Sequence, residues 1–336
     1  MKIVVDSGIP FIENRFDKDV EIVSIPGSEI SRKTVEDADA LIVRTRTKCN
    51  SGLLGDTNVK VIATATIGTD HIDIPWCERN GIKVFSAPGC NAPGVAQYVF
   101  SSLFKTGFDP RVHTLGIIGF GNVGSTIGEW AKEMGIKILI NDPPRQKRGE
   151  CDVTYTDLAE LLKNSDAVTV HVPLTSDGEN PTMNLLGDKD FKLMKPGSVI
   201  INSSRGGVID EKALLPFLVS GKLKAIIDVW EKEPVISRDL LNLASIATPH
   251  IAGYSYEGKK RGTRMALEAV ANALGIEPDF NGLDSTPPSE IKISRGLIES
   301  SYNPIEDSIR LKNNPHDFEL LRNTYNYRHE PLFSKS

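Results

Sequence analysis

Four stretches of the chain carry residue types that can do chemistry together. The first, Thr114-Leu-Gly-Ile-Ile-Gly-Phe-Gly-Asn-Val-Gly-Ser125, is a β-branched run leading into Gly119-x-Gly121-x-x-Gly124. Between a strand and a helix, such glycines have separate uses. The first two allow a tight turn and close backbone approach to a pyrophosphate, and the third lets helix and strand pack. The helix N-terminus then offers unpaired N–H groups and a positive dipole end. Asp142 closes the next strand about 20 residues on, where a carboxylate can take ribose hydroxyls and repel a 2′-phosphate. The expected ligand is NAD rather than NADP, with Arg145 nearby as the one opposing feature.

The other three stretches suit a reacting centre. Asn202-Ser-Ser-Arg205-Gly-Gly offers a guanidinium beside flexible backbone. Asp228-Val-Trp-Glu231-Lys-Glu233-Pro offers three carboxylates, and Thr248-Pro-His250 an imidazole. Oxidation of a 2-hydroxy acid needs such a set. An arginine holds the substrate carboxylate through two parallel hydrogen bonds. A histidine takes the hydroxyl proton as hydride leaves. A neighbouring carboxylate orients the ring and favours its protonated form.

Something must bring these stretches together, and the strand pattern supplies it. Lys2–Asp6, Glu21–Ile25, Ala40–Val43, Val59–Ala63 and Lys83–Phe85 read as strands, followed by Thr114–Gly119, Ile136–Ile140, Ala167–Val170, Val199–Asn202, Ala225–Asp228 and Ser245–Ala247. Apolar residues are consecutive in them rather than alternating, as in parallel sheets covered on both faces. Every reactive stretch follows one of these strands, and in open parallel sheets the strand C-termini face the ligand. The fold class is therefore α/β, with two doubly wound parallel-sheet lobes. The helices Ala92–Phe104 and Glu257–Leu274 read as the two crossings between lobes, implying a hinge and a cleft. This gives a substrate lobe of 1–92 plus 255–278, an NAD-binding lobe of 93–254, and a small α+β tail module of 279–336, whose periodic parts are Glu290–Leu297 and Phe318–Tyr325.

Composition narrows the class. The 336 residues include 39 Lys and Arg against 44 Asp and Glu, for a net charge of −5, which argues against a nucleic-acid surface. No apolar run approaches the ~20 residues of a membrane span, and the N-terminus lacks the apolar core of a signal peptide. Cys49, Cys77, Cys90 and Cys151 show neither CxxC nor metal-ligand spacing, so a reduced, cytoplasmic protein without a metal is expected.

The glycine motif, the Asp142 strand end, His171-Val-Pro-Leu, Lys195-Pro-Gly-Ser-Val-Ile-Ile-Asn, Ser204-Arg-Gly-Gly-Val-Ile-Asp, Asp228-Val-Trp-Glu-Lys-Glu-Pro and Thr248-Pro-His together resemble the D-2-hydroxyacid dehydrogenase family, in the family's order. The resemblance implies a Rossmann-type cofactor lobe, a flavodoxin-like substrate lobe and NAD as cofactor. It implies Arg205, Glu233 and His250 as the catalytic residues. Cofactor contacts would come from Gly119, Gly121, Asn122, Val123, Gly124, Asp142, Ser203, Ser204, Arg205, Asp228 and Gly253. Ala63–Asp73, Ser86–Ala92 and His250–Lys259 point to a branch acting on a small phosphorylated 2-hydroxy acid, with substrate contacts from Thr45, Thr66 and Tyr254. The family dimerises through its C-terminal module, which is compressed in this chain, so a homodimer is the expected assembly. Two other readings share these residues: a dehydrogenase of the phosphoglycerate or hydroxypyruvate type, and an NAD-sensing binding module.

A phosphate needs cations, and Arg44, Arg46 and Lys48 flank Thr45 directly after a strand. If the segment stays extended, the three cations share one face with Thr45 opposite. If it turns at Thr45, Arg44 and Thr45 share a side. Failing this patch, Arg322 or Arg328 of a partner subunit's tail would serve. His71, between Asp70 and Asp73, reads as a loop tie and Cys90 as structural.

Overall fold

The computed structural model describes residues 1–150, 153–287 and 292–333. Cys151 and the start of Glu290–Leu297 lie outside the described residues. Two compact units emerge, Met1–Asn91 with Tyr256–Thr286, and Ala92–Ser255 with Pro287–Ser336.

In the first unit, β1 (Lys2–Asp6), β2 (Glu21–Ile25), β3 (Ala40–Val43), β4 (Val61–Thr64) and β5 (Lys83–Phe85) form an all-parallel sheet in the order β2-β1-β3-β4-β5. This is the flavodoxin-like order. Ile3, Val5, Ala40, Ile42, Val61 and Ala63 pack on Ala266, Leu267 and Val270 of the helix Tyr256–Leu274. Val4, Leu41, Val43 and Ile62 face the opposite way, onto Val35, Leu54 and Cys77. Both faces are covered, which is why successive residues are apolar.

The second unit repeats the principle with six parallel strands: β6 (Thr114–Ile118), β7 (Lys137–Asn141), β8 (Ala167–Val170), β9 (Ser198–Asn202), β10 (Leu223–Ile227) and β11 (Ile246–Ala247), in the order β11-β10-β9-β8-β6-β7. Tyr155 extends it beyond β7 through a parallel bridge to Ile140. With that residue counted as a strand, the outer half reads 3-2-1-4, the Rossmann order, whose switch point lies between β6 and β8. Leu115, Ile117, Val199, Ile201 and Ile226 serve one core, and Ile118, Val168, Val170, Ile200 and Ile227 the other.

The tail departs from the expected separate module. Leu283 belongs to a first-unit core. Ile293, Ile298 and Tyr302 enter one core of the second unit, and Leu311 and Phe318 the other. The helices Arg295–Ser301, Pro304–Asn313 and Phe318–Asn323 carry Ile298, Leu311 and Phe318, with Ile293 and Tyr302 flanking the first, and Arg328 bridges Ser255. Apolar residues too sparse for a core of their own are buried in an existing one. No helix among the described residues is long and apolar enough to cross a membrane.

Candidate active site

The glycine turn divides its labour as expected. Gly119 has φ +86°, a left-handed conformation, and a Cβ there would stand 2.5 Å from the His171 carbonyl oxygen. At Gly124 a Cβ would fall 2.0 Å from the Gly119 carbonyl oxygen. At Gly121 it would meet no protein atom within 4 Å. That opening lies at the N-cap of the helix Asn122–Glu133, which no side chain caps. Backbone N–H groups at the start of Asn122, Val123 and Gly124 thus suit a pyrophosphate. The turn itself supplies the first residues of this helix.

Asp142 stands at the end of β7 and is tied into this turn. One oxygen accepts from the Phe120 N–H at 2.8 Å, the other from the Arg145 N–H at 3.0 Å. Each oxygen keeps a second lone pair for ribose. Arg145 donates to the Phe120 carbonyl and pairs with Glu150 at 3.1 Å, so its charge is shared with a carboxylate. After β9, the Ser203 hydroxyl oxygen is buried without a partner, whereas Ser204 donates to Asn202 at 2.9 Å. An orphaned hydroxyl at a strand C-terminus is what a polar cofactor group would satisfy. These residues fit NAD.

The reacting groups lie after β9, β10 and β11. The His250 Nδ1 is 2.9 and 3.1 Å from the two oxygens of Glu233. This pairing puts the neutral ring's proton on Nδ1 and its lone pair on Nε2. Burial pushes the Glu233 carboxyl up, but the bond and charge of His250, the Trp230 N–H and the Arg322 charge outweigh it, and its pKa lies below the ordinary value. His250 itself has φ +58°, a conformation in which β-carbon-bearing residues need support from their surroundings.

Asp228 supplies that support. It is 1% exposed, and its carboxylate accepts from the Thr248 hydroxyl at 2.6 Å, the Ile251 N–H at 2.8 Å and the Ala252 N–H at 3.0 Å. Its own carbonyl accepts from the His250 N–H at 2.8 Å. Among the described residues its Oδ2 accepts only from the Ala252 N–H and keeps a lone pair for the expected cofactor contact. Burial raises its pKa, against the His250 charge and these three hydrogen bonds. Tyr98 backs the group by sharing a 2.7 Å hydrogen bond with Thr248.

Arg205 follows β9, with Nη1 donating to the Ser204 carbonyl at 2.8 Å. The next residue must be glycine: a Cβ at Gly206 would stand 1.9 Å from the Trp230 carbonyl oxygen. The Arg205 loop is therefore pressed against the segment that carries Glu233. Gly253 and Tyr254 lie just beyond His250.

Two tail residues complete this arrangement, and one of them, Arg328, is unavailable for the phosphate role it would take should the Arg44 patch fail. Arg328 is 9% exposed. It donates to the carbonyls of Ile251 at 3.1 Å, Tyr254 at 3.2 Å, Gly94 at 3.0 Å and Ala252, and to the Gln97 side chain at 2.9 Å. With its donors committed to this loop, it cannot hold a substrate phosphate. Arg322 donates to the Tyr254 hydroxyl at 3.2 Å and lies 3.8 Å from Glu233.

The first unit holds the remaining expected residues. The chain turns at Thr45 and Arg46 rather than staying extended, and Arg44 Nη1 donates to the Gly8 carbonyl at 2.6 Å. Thr45, Arg46 and Lys48 are exposed. Thr66 shares a 2.7 Å hydrogen bond with Thr64. Asp73 caps the helix Ile74–Arg79 and the His71 carbonyl accepts from the Cys49 N–H at 2.9 Å, so the loop is tied by Asp73 and backbone, whereas the His71 Nε2 is buried without a hydrogen-bond partner. Cys49 is inert, with burial pushing its thiol up to about 12. In the second unit, burial pushes His171 down to about 3, leaving it a neutral wall of the glycine turn.

An NAD-suited glycine turn beside an arginine, a glutamate and a histidine at successive strand ends defines a dehydrogenase of hydroxy acids. Residues 97–252 match the family model of the D-isomer specific 2-hydroxyacid dehydrogenase, NAD binding domain. The chain belongs to the D-isomer specific 2-hydroxyacid dehydrogenase family, NAD-dependent oxidoreductases. It is 44% identical over 339 residues to an erythronate-4-phosphate dehydrogenase of Bacteroides thetaiotaomicron, covering 98% of this chain and 97% of that one. An enzyme of the same name from Escherichia coli O1:K1 / APEC is 39% identical over 349 residues, covering 98% and 92%. Among solved structures, the D-lactate dehydrogenase of Aquifex aeolicus complexed with NAD and lactic acid superposes with a TM-score of 0.67 at 26% identity, covering 84% of this chain and all of that one.

Proposed function

We propose that this protein oxidises 4-phospho-D-erythronate to 3-hydroxy-2-oxo-4-phosphooxybutanoate, a step of pyridoxine 5′-phosphate biosynthesis. The observation that carries the reading is near-complete alignment, at 44% identity, with an erythronate-4-phosphate dehydrogenase, together with the His250–Glu233 pair at 2.9 Å. NAD supplies the hydride acceptor. Arg205 holds the C1 carboxylate by a bidentate pair. His250 Nε2 takes the proton of the C2 hydroxyl as the C2 hydrogen departs as hydride, leaving a C2 carbonyl. Glu233 stabilises the protonated ring that results. Thr45, Thr66 and Tyr254 are the proposed substrate contacts, with Arg44 for the phosphate. Gly119, Gly121, Asn122, Val123, Gly124, Asp142, Ser203, Ser204, Arg205 and Gly253 are the proposed cofactor contacts. Asp228 is a further proposed cofactor contact, besides the support it gives the His250 turn. We also propose a cytoplasmic homodimer: Cys49, Cys77 and Cys90 are buried and in no disulfide, which suits a reducing compartment, and the dimer rests on the family resemblance of the tail.

The test is NADH formation at 340 nm with 4-phosphoerythronate, erythronate, 3-phosphoglycerate and lactate. Turnover of 4-phosphoerythronate well above the others is expected. A preference for 3-phosphoglycerate would move the enzyme to another branch, and NAD binding without turnover of any of them would make it a sensing module.

A further inference from the structure

Arg322 belongs to the helix Phe318–Asn323, and its side chain is 18% exposed. Its Nε donates to the Tyr254 hydroxyl at 3.2 Å. Its Nη1 lies 3.8 Å from Glu233 Oε2 and 4.0 Å from Glu319 Oε1. Burial works against the guanidinium, but Tyr254, Glu233 and Asp228 more than offset it, so the group stays charged. One cation therefore touches both the carboxylate that holds His250 and the phenol assigned to substrate.

We propose that Arg322 is a positioning residue for the oxidation. It fixes Tyr254 through the phenol oxygen, and it limits how strongly Glu233 stabilises the protonated His250 ring. The proposal rests on the roles of His250 and Tyr254 given above and goes beyond them in bringing the tail into the proton step. His250 is faced by the carboxylates of Glu233 and Asp228, and Glu233 in turn by the His250 ring, the Trp230 N–H and Arg322, with the Glu211 carboxylate in its neighbourhood. A carboxylate shared between two cations attracts each less than it would attract one alone. Removing Arg322 leaves the whole Glu233 charge to the imidazole and takes a positive charge away from the proton. Both changes favour the protonated ring. The base acts deprotonated, so the acid limb of the oxidation must move to higher pH. Lysine would keep the charge but lose the planar fork that reaches Tyr254 and Glu233 together.

The test uses the full chain with Arg322→Gln and Arg322→Lys. Arg322→Gln should move the acid limb of kcat/KM up by about half a pH unit or more and raise KM several-fold. Arg322→Lys should raise KM while leaving the acid limb in place. A merely structural arginine would not split the two readouts between two variants. A substrate-free measurement accompanies them: the NMR titration of the His250 ring proton, assigned with His250→Gln, should show the same upward displacement in Arg322→Gln. Because it needs no turnover, it stands even if the substrate proves to be another acid. Superimposable titrations of wild type and Arg322→Gln, or equal displacement in both variants, would overturn the proposal.

Discussion

Both oxygens of Glu233 face His250 Nδ1, and the Trp230 N–H holds one of them at 3.1 Å. The carboxylate is thus fixed before any proton arrives. Glu233→Gln keeps the shape and removes the charge, so the protonated ring loses its partner. Turnover should fall on the order of 10²-fold or more, and the acid limb should move to lower pH, opposite to Arg322→Gln. The depressed Glu233 pKa also contributes stability, present above the ordinary carboxyl value of 4.5 and lost as pH falls through the lower folded value. Thermal melts of wild type and Glu233→Gln should converge as the pH is lowered below that value.

His250→Ala removes the proton acceptor. A loss of ~10²–10⁴ in kcat is expected, with NAD affinity by calorimetry within a few-fold of wild type. Near-normal turnover would transfer the base to another residue.

The two outer glycines and the central one should separate folding from cofactor binding. Gly124→Ala forces a Cβ to within 2.0 Å of a carbonyl and should lower Tm markedly. Gly121→Ala meets no protein atom, so Tm should hold while Kd for NAD rises at least ~10-fold, because the methyl occupies the space of the pyrophosphate. Equal NAD affinity in Gly121→Ala would place the pyrophosphate elsewhere.

Asp142→Asn keeps one acceptor oxygen for either the Phe120 N–H or the Arg145 N–H of the cap, loses the other, and removes the charge that repels a 2′-phosphate. The preference for NAD over NADP in kcat/KM should drop by about an order of magnitude or more. An unchanged ratio would show that this carboxylate does not meet the ribose.

Arg44→Ala should raise KM for 4-phosphoerythronate and leave that for erythronate nearly unchanged, since only the former carries the phosphate. A broken charge pair of this kind costs ~2–5 kcal/mol when desolvated. The ratio of kcat/KM for the two substrates is the measurement, and its constancy would clear Arg44 of the role.

Much of this was legible from local pattern. Runs such as Leu41-Ile-Val43 and Val199-Ile-Ile201 announce strands covered on both sides, and the glycine motif announces the turn that joins two of them. Arg205, Glu233 and His250 were visible because each follows such a strand. The direction of Arg44 was not, because alternation along an extended segment and a turn at Thr45 give opposite answers, and only tertiary bonding to Gly8 settles it. Asp228 was legible as a carboxylate at a strand end, but its bonds to Thr248, Ile251 and Ala252 were not, since a strand end reads alike whichever donors meet it. Arg322 and Arg328 were least legible. They sit in the polar run Arg322-Asn-Thr-Tyr-Asn-Tyr-Arg328, which has no periodicity linking it to a loop 77 residues earlier.

The Arg328 clamp also sets an order in time. A ribosome delivers the His250 turn well before the guanidinium that gathers the carbonyls of Ile251, Ala252 and Tyr254. The strands beneath the turn can pair as they emerge, since their partners precede them. The carbonyl side of the turn waits for a side chain not yet made, and Ser255 waits likewise for the Glu330 carboxylate, to which it donates at 2.7 Å. A nascent chain that has completed its parallel sheet therefore holds the base through Asp228 alone, and the clamp closes behind it only once Arg328 and Glu330 have been delivered.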